Sequence, residues 1–251
     1  TIDIFLCSRG GYGLQRSIDK VVLLQRPKDQ WPMLVGFSYI TALHSLLSLH
    51  GVASLHANMC KDLSLLPDED IALSAEREFF MADTIPSPLS FTSHLLPLTY
   101  HPSPHHANVP YTIHHTSSSP LNRGGEVVGK LIGGNLSVLY GLQGTPYSLN
   151  KIIEQCEQPP ILFIEDISEN HYHIDRMLNS FRMSAVFDSI GGLVVGQFTD
   201  CADDPSMGCS LLESIRQVVD DYSFPILFDY PSGHIDSNYP LLLSADYLLS
   251  V

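Results

Sequence analysis

The chain has 251 residues, of which 44% are hydrophobic and only 16% are charged. This composition excludes a disordered or collagen-like polypeptide and is typical of a globular protein with one large domain or two ordinary ones. The formal net charge of −14 repels a phosphate backbone and an anionic membrane surface, so neither nucleic acid nor membrane is expected as a partner. An anionic substrate would need local cations, for which Arg9, Arg123 and Arg176 are candidates.

The five cysteines are scattered along the chain, without the spacing of a zinc site or of a disulfide framework. No stretch approaches about 18 uninterrupted apolar residues, and no signal-peptide pattern is recognisable. These features predict a cytoplasmic protein. Because Thr1–Cys7 already reads as a buried strand, we expect the natural protein to have residues upstream of it.

Apolar runs alternate with segments of helical periodicity, which is typical of α/β proteins with parallel strands. Thr1–Cys7 and Pro32–Phe37 predict the first two strands, and Leu14–Leu24 between them has apolar residues near helical spacing. Ser38 follows the second strand directly. The apolar positions of Ile40–Leu49 then fit one helical face, so the sequence places Ser38 at a strand-to-helix turn.

Residues 81–124 are rich in Pro, Ser, His and Thr and have no sustained periodicity, which predicts a linker or long excursion. We expect it to join an N-terminal domain (1–120) to a C-terminal domain (121–251). Its histidines match no defined zinc spacing and are expected to be solvated, so no metal and no cofactor is predicted. These histidines are His94, His101, His105, His106, His114 and His115.

Strand and helix signals resume in the second half of the chain. Gly133–Asn135 precedes a helical segment, and Ile161–Ile164 and Leu193–Phe198 predict strands with a helix between them. The last apolar run, Pro225–Tyr230, leads to Ser232–His234. The order of elements again favours a parallel α/β arrangement.

Three polar residues follow apolar runs of this kind: Ser38, Glu165 and His234. The carboxyl ends of parallel strands gather at one edge of a sheet, where catalytic groups collect. A serine needs an imidazole to accept its proton, a carboxylate to orient that imidazole, and backbone N–H groups to face the oxyanion. Gly10–Gly11 and Tyr39 are candidates for those donors. Each of the three residues also has a simpler interpretation as a turn or capping residue.

Two generic motifs are excluded. Gly36–Ile40 lacks the last glycine of the G-x-S-x-G elbow, so an ordinary α/β-hydrolase is not supported. Gly10–Gly13 does not fit the G-x-G-x-x-G pattern of dinucleotide-binding proteins.

Six segments carry a more specific signal. They are Ser8–Gly13, Gly36–His44, Gly133–Ser137, Leu162–Ile167, Tyr172 with Ile174–Leu178, and Gly233–His234. In this order they resemble the LD-carboxypeptidase family of serine peptidases, which includes the microcin-immunity peptidases. The resemblance implies an N-terminal flavodoxin-like α/β domain, a C-terminal α/β domain, an active site between them and commonly a homodimer.

The resemblance also implies roles for individual residues. Ser38 is the expected nucleophile, Glu165 the orienting carboxylate and His234 the general base. The oxyanion hole is expected from the backbone N–H groups of Gly11 and Tyr39.

Arg9, Gly10 and Asn135 are the candidate substrate contacts, because a glycine-rich loop and a helix N-terminus suit carboxylate binding. Members of the family cleave, without a metal, an amide next to a free terminal carboxylate. In peptidoglycan recycling they release D-alanine from a muropeptide tetrapeptide across an L,D bond, whereas the immunity relatives cut a peptidyl-nucleotide amide. A muropeptide is thus the expected substrate.

One position departs from the family pattern. Tyr39 stands after the expected nucleophile, where the family usually has aspartate. This difference motivates two alternatives to an LD-carboxypeptidase: a catalytically silent relative that binds peptides, and a peptidase that cleaves aminoacyl-nucleotide amides.

Overall fold

A computed structural model describes residues 3–21, 25–81, 111–114 and 118–251. The strands are β1 (Ile4–Leu6), β2 (Met33–Gly36), β3 (Ser54–His56), β4 (Tyr111–His114), β5 (Glu126–Asn135), β6 (Ile161–Ile167), β7 (Gly192–Thr199), β8 (Ile226–Leu227), β9 (Leu241–Leu243) and β10 (Asp246–Ser250). The α-helices are α1 (Thr41–Leu49), α2 (Cys60–Leu63), α3 (Ile71–Met81), α4 (Leu136–Gly141), α5 (Leu149–Ile153), α6 (His171–Met183) and α7 (Leu211–Val218). The predicted α/β class is confirmed.

The strands form two sheets. The four-stranded sheet has the order β1-β2-β3-β9, in which the first three strands are parallel and β9 is antiparallel to β3. The six-stranded sheet has the order β4-β10-β5-β6-β7-β8, and β5 to β8 are parallel. Each sheet therefore presents the carboxyl ends of several parallel strands along one edge.

The six-stranded sheet is buried on both faces, because its central strands are apolar at successive positions. Leu162 and Ile164 of β6 pack with the helices α4, α6 and α7 on one face. Ile161 and Phe163 point to the other face, where they pack with residues of the four-stranded sheet and of α3. This second core fixes the two sheets against each other.

The long excursion predicted for 81–124 lies mostly outside the described residues, and so do the five histidines at 94, 101, 105, 106 and 115. Within it, Tyr111–His114 forms β4, which was not predicted. Tyr111 and Ile113 are buried in the core, and this burial explains the strand. A domain boundary near residue 120 stays a prediction; β4 from before it joins the six-stranded sheet, and β9 from after it joins the four-stranded sheet.

The helix predicted for Leu14–Leu24 is wrong for the residues that are described. Two single 3-10 turns, Leu14–Arg16 and Ile18–Lys20, take its place, because Gly13 enters the segment with a φ of 102° and Ser17 interrupts it. Leu14 and Ile18 still pack against α1 and α4, so the apolar spacing reflects real burial. Among the described helices, none is both long and apolar enough to cross a membrane.

Candidate active site

Ser38 lies at a sharp turn between β2 and α1. Its φ is 63°, in the left-handed region that residues other than glycine rarely adopt. A strained strand-to-helix turn that lifts a serine hydroxyl above a sheet is the geometry of a nucleophile elbow. Ser38 thus has the backbone of an elbow although the sequence lacks the usual motif.

Gly36 and Ile40 explain how the turn forms without the second glycine. A Cβ on Gly36 would lie 3.1 Å from Cγ1 of Ile40 and 3.2 Å from Cβ of Cys7, which is tighter than side chains normally pack. The bare backbone at Gly36 therefore makes room for a branched residue where the usual motif has glycine.

Glu165 and His234 form the best-defined contact of the site. The Nδ1 of His234 lies 2.7 Å from Oε2 of Glu165, and the carboxylate is completely buried. Glu165 lies at an irregularity in the pairing of β6 with β7, where the register shifts between Ile164 and Asp166. Bulges of this kind re-aim side chains next to functional sites.

Gly233 lets the loop that carries His234 approach Glu165. Its φ is 135°, and a Cβ there would lie 3.1 Å from Cβ and 3.2 Å from Oε2 of Glu165. The carbonyl of His234 accepts a hydrogen bond from the Thr199 hydroxyl at 2.8 Å, and the Gly233 N–H donates to Oδ1 of Asn238 at 2.9 Å. The backbone on both sides of His234 is therefore fixed by hydrogen bonds, which positions the imidazole.

The protonation of this pair is set by opposing effects. Burial alone would raise the pKa of Glu165, but the hydrogen bond with His234 and the nearby ring of His56 lower it below its ordinary value. Burial would lower the pKa of His234, and the bond to Glu165 raises it above its ordinary value instead. The pair therefore favours an ionised carboxylate that stabilises an imidazolium.

Ser38 and His234 line one pocket together with Arg9, Lys61 and Met59. Gly10 and Gly11 also line it, and a Cβ on Gly10 would lie 3.3 Å from Oγ of Ser38. In the described part of the chain, no hydrogen bond joins the Ser38 hydroxyl to His234. Catalytic hydrogen bonds are often loose in unliganded sites and tighten when substrate binds.

A second pocket opens on the other side of Ser38. Its polar walls include Asp166 and Glu169, so its lining is acidic, whereas the first pocket contains two cations, Arg9 and Lys61, and one carboxylate, Asp62. Tyr12 and Tyr39 border it, with ring centroids 5.4 Å apart, and the Tyr39 hydroxyl donates to Oε1 of Gln15 at 3.1 Å. Tyr39, which stands where the family usually has aspartate, thus forms an aromatic wall of this pocket together with Tyr12.

Asn135 holds the acidic pocket together. Its Oδ1 accepts from the Val138 N–H at 3.1 Å and so caps α4, and its Nδ2 donates to Asp166 at 2.9 Å. Ser137 donates to the same carboxylate, and burial nevertheless raises the pKa of Asp166 to about 6. Both polar groups of the Asn135 side chain are thus bound within the protein.

The sequence-predicted residues fall into two groups around Ser38. Arg9, Gly10, Gly11 and His234 line the first pocket with it, whereas Tyr39 and Asn135 line the second. Among the described residues, no acceptor is bound to the backbone N–H of Gly11 or of Tyr39. Two of the three arginines that were candidates for binding an anionic substrate line neither pocket. They are Arg176 and Arg123, and Arg123 donates hydrogen bonds to the carbonyls of Val219 and Asp220.

Two buried histidines were missed in the sequence. His56, at the end of β3, lies with its Nε2 4.0 Å from Oε1 of Glu165. His44 in α1 lies 2.8 Å from both the Gly36 carbonyl and the Ser54 hydroxyl, and burial lowers its pKa to about 3. The signal that could have found His56 is its place after Leu55, at the end of a run too short to stand out as a strand.

No group of three or more His, Cys, Asp or Glu side chains among the described residues is placed to hold a metal ion.

Comparison with known proteins identifies the family. A family model described as the LD-carboxypeptidase N-terminal domain matches residues 1–57, and one described as the C-terminal domain of the same family matches residues 128–249. Together they match more than half of the chain. The chain belongs to the LD-carboxypeptidase family.

Relatives in this family include a probable murein peptide carboxypeptidase of Bacillus subtilis, 29% identical over 249 residues, which is 96% of the chain. A murein tetrapeptide carboxypeptidase of Pseudomonas aeruginosa is 28% identical over 91% of the chain. The chain spans 66% of the length of each of these relatives.

Solved structures of LD-carboxypeptidases and of an immunity protein share the fold. A muramoyltetrapeptide carboxypeptidase from Oxalobacter formigenes aligns over 100% of the chain and 75% of its own length, with a TM-score of 0.73 and 23% identity. MccF in complex with glutamyl sulfamoyl guanosine aligns over 98% of the chain and 72% of its own length, with a TM-score of 0.70 and 17% identity. At these identities the likeness concerns the fold alone.

Proposed function

We propose that this chain carries the active site of a serine carboxypeptidase, which hydrolyses the amide bond before the C-terminal residue of a peptide. The observation that supports it best is the 2.7 Å contact between His234 and the fully buried Glu165. The imidazole of His234 lines the same pocket as Ser38. A buried ion pair of this kind orients a general base, and the strained backbone of Ser38 presents a hydroxyl to it.

In the proposed mechanism the Nε2 of His234 takes the proton of Ser38 as its Oγ attacks the amide carbon. Glu165 holds the Nδ1 proton and stabilises the imidazolium that forms. The backbone N–H groups of Gly11 and Tyr39 would donate to the oxyanion of the tetrahedral intermediate. The imidazolium then protonates the leaving amine, and water removes the acyl group from Ser38 by the reverse steps.

The substrate we propose is a muropeptide tetrapeptide, cleaved at the L,D bond before its terminal D-alanine. The names of the Bacillus and Pseudomonas relatives support this choice. Arg9 and Lys61 line the pocket of Ser38 and outnumber its one carboxylate, Asp62, in a chain whose net charge is −14, so they would attract the free terminal carboxylate. We further propose that the protein acts in the cytoplasm, in peptidoglycan recycling, and as a homodimer, as the resemblance implies.

A second candidate function is hydrolysis of an aminoacyl-nucleotide amide. It is favoured by the aromatic wall of Tyr12 and Tyr39 next to Ser38, because Tyr12 is 83% exposed and offers a face on which a nucleobase could stack. The fold likeness to MccF, solved with glutamyl sulfamoyl guanosine, adds to this possibility.

The test compares release of D-alanine from a muropeptide tetrapeptide by the full-length protein and by Ser38→Ala. We expect the variant to lose nearly all activity, at least about 10³-fold, because the nucleophile is gone. Ser8→Ala is the matched control, since Ser8 is exposed and lines neither pocket.

An aminoacyl sulfamoyl nucleoside offered in the same assay separates the two candidates. Faster cleavage of that compound would favour the second function. Tetrapeptide binding by calorimetry without turnover of either compound would contradict both and leave a silent binding protein.

A further inference from the structure

His56 lies directly behind the candidate acid–base pair. It ends β3, is fully buried, and packs edge-on against Phe37 and Phe163, with ring centroids 5.9 and 5.1 Å away. Its Nε2 faces Oε1 of Glu165 at 4.0 Å. The carboxylate therefore has a histidine at each oxygen, since His234 contacts Oε2.

The atoms that face each other across this gap have no other partner. Within the described residues, neither Oε1 of Glu165 nor Nε2 of His56 makes a hydrogen bond, although both are buried. A buried carboxylate oxygen without a donor is costly, because it has lost its hydration. The acceptor that is missing a proton and a ring nitrogen that can supply one thus lie next to each other.

The groups on the other side of the ring limit where its protons lie. Oδ1 of Asn238 accepts from the Gly233 N–H at 2.9 Å, which fixes the orientation of that amide. The Ser232 hydroxyl donates its only proton to the same Oδ1, at 3.0 Å. Ser232 therefore offers Nδ1 of His56, 3.5 Å away, a lone pair and not a proton. Both groups that face the ring nitrogens are thus acceptors, and the charged carboxylate of Glu165 is a stronger acceptor for a ring proton than the Ser232 hydroxyl.

We propose that His56 is a positioning residue: its protonated Nε2 holds Oε1 of Glu165, so that Oε2 stays fixed on Nδ1 of His234. The proposal rests on the proposed function, in which that carboxylate orients the general base. Without the donor at Oε1, the carboxylate is free to rotate about its last bond, and the imidazole loses the geometry needed to take the serine proton.

Two variants separate this role from simple packing. His56→Gln places an amide N–H near the position of Nε2, whereas His56→Asn places one near Nδ1, facing Ser232. We expect His56→Asn to lower kcat about 10- to 100-fold with KM changed less than about threefold, because the donor that faces the charged Oε1 of Glu165 is removed. His56→Gln is expected to keep kcat within about threefold to tenfold of wild type. Rates are divided by the folded protein concentration, measured by circular dichroism and gel filtration.

The proposal is overturned if the two variants lose kcat equally, or if neither loses it. Equal losses with equally lowered melting temperatures would assign His56 to packing alone.

A spectroscopic measurement on the full-length wild-type protein needs neither variant nor substrate. With ¹⁵N-labelled histidine near neutral pH, we expect Nε2 of His56 to carry a proton; a bare Nε2 would overturn the proposal. If the wild type releases no D-alanine, the proposed function fails, but this measurement still decides the contact between His56 and Glu165.

Discussion

Two buried glutamates, one on each side of the site, have pKa values that are shifted in opposite directions. Glu76 of α3 lies on the side of the four-stranded sheet that carries Ser38, which we call the nucleophile side. Glu165 lies on the side of the six-stranded sheet, the acid–base side. Both are completely buried. Burial raises the pKa of Glu76 to about 8, whereas two histidines lower that of Glu165 despite the same burial.

The two pKa values differ because the two carboxylates have different partners, since both are equally buried. Oε1 of Glu76 accepts one hydrogen bond, from the Asn58 N–H at 2.9 Å, and Asp62 and Asp70 add negative charge nearby. Glu165 faces a ring nitrogen at each oxygen. Burial thus raises the pKa of a carboxyl group in this molecule, and the lowered pKa of Glu165 depends on the histidines placed around it.

The largest effect is expected when the charge of Glu165 is removed, which makes it resemble the neutral form of Glu76. We expect Glu165→Gln to lower kcat about 10³- to 10⁴-fold, because the amide cannot stabilise the imidazolium or hold its Nδ1 proton. In the wild type, the acid limb of kcat/KM should lie above the ordinary histidine value, since the base must be neutral and the pKa of His234 is raised. In the variant the limb should move to lower pH. Rates measured across pH, with surface Glu154→Gln as control, check both effects; an unmoved limb would contradict the assignment of His234 as base.

The second prediction concerns the other glutamate. The pKa of Glu76 is raised on folding, so its contribution to stability is full below the unfolded value near 4.5 and is lost as the pH rises through about 8. Glu76→Gln mimics the neutral group and should remove this pH dependence, on the order of 4 kcal/mol between pH 5 and 9. Urea unfolding at both pH values tests it. A variant with the same pH dependence as the wild type would mean that Glu76 is ionised when folded.

Gly233→Ala tests the acid–base side by crowding. The new Cβ would press on Glu165, and its backbone, at a φ of 135°, would be strained as well. We expect kcat to fall about 10- to 100-fold, together with loss of the low-field proton NMR signal of the bond between His234 and Glu165. Gly124→Ala is the control, because a Cβ there meets only an ordinary contact at 3.5 Å.

Gly10→Ala is the corresponding change on the nucleophile side, and its effect should be the smallest. The added methyl would lie 3.3 Å from Oγ of Ser38, a contact that a small movement relieves. A loss of up to about tenfold in kcat/KM is expected, with the low-field proton unchanged. If that signal changes too, the two sides do not respond separately and the comparison fails.

Much of this arrangement could be predicted from the sequence. The strands of the acid–base side have long apolar runs, such as Ile161–Ile164, so both the strand and the polar residue after it are visible. The expected places of Ser38, Glu165 and His234 follow from such runs. His234 lines a pocket with Ser38, and Glu165 is buried behind His234.

What the sequence could not supply depends on contacts between distant segments. β3 is three residues long, so His56 gave no strand signal of its own. The irregularity that aims Glu165 exists only in its pairing with β7. The turn at Ser38 looked incomplete because its second glycine is absent, and only the contact between Gly36 and Ile40 explains how it forms.

The last strand of the four-stranded sheet has a consequence for how the molecule assembles. β9 pairs with β3 although Leu241–Leu243 lies more than 180 residues further along the chain than Ser54–His56. Contacts between segments so far apart are slow to form, because the loop that joins them must first be closed. During synthesis, the surroundings of Ser38 and His56 therefore stay incomplete until nearly all of these residues have left the ribosome. The sheet that carries Glu165 is completed later still, because β10 follows β9 in the chain.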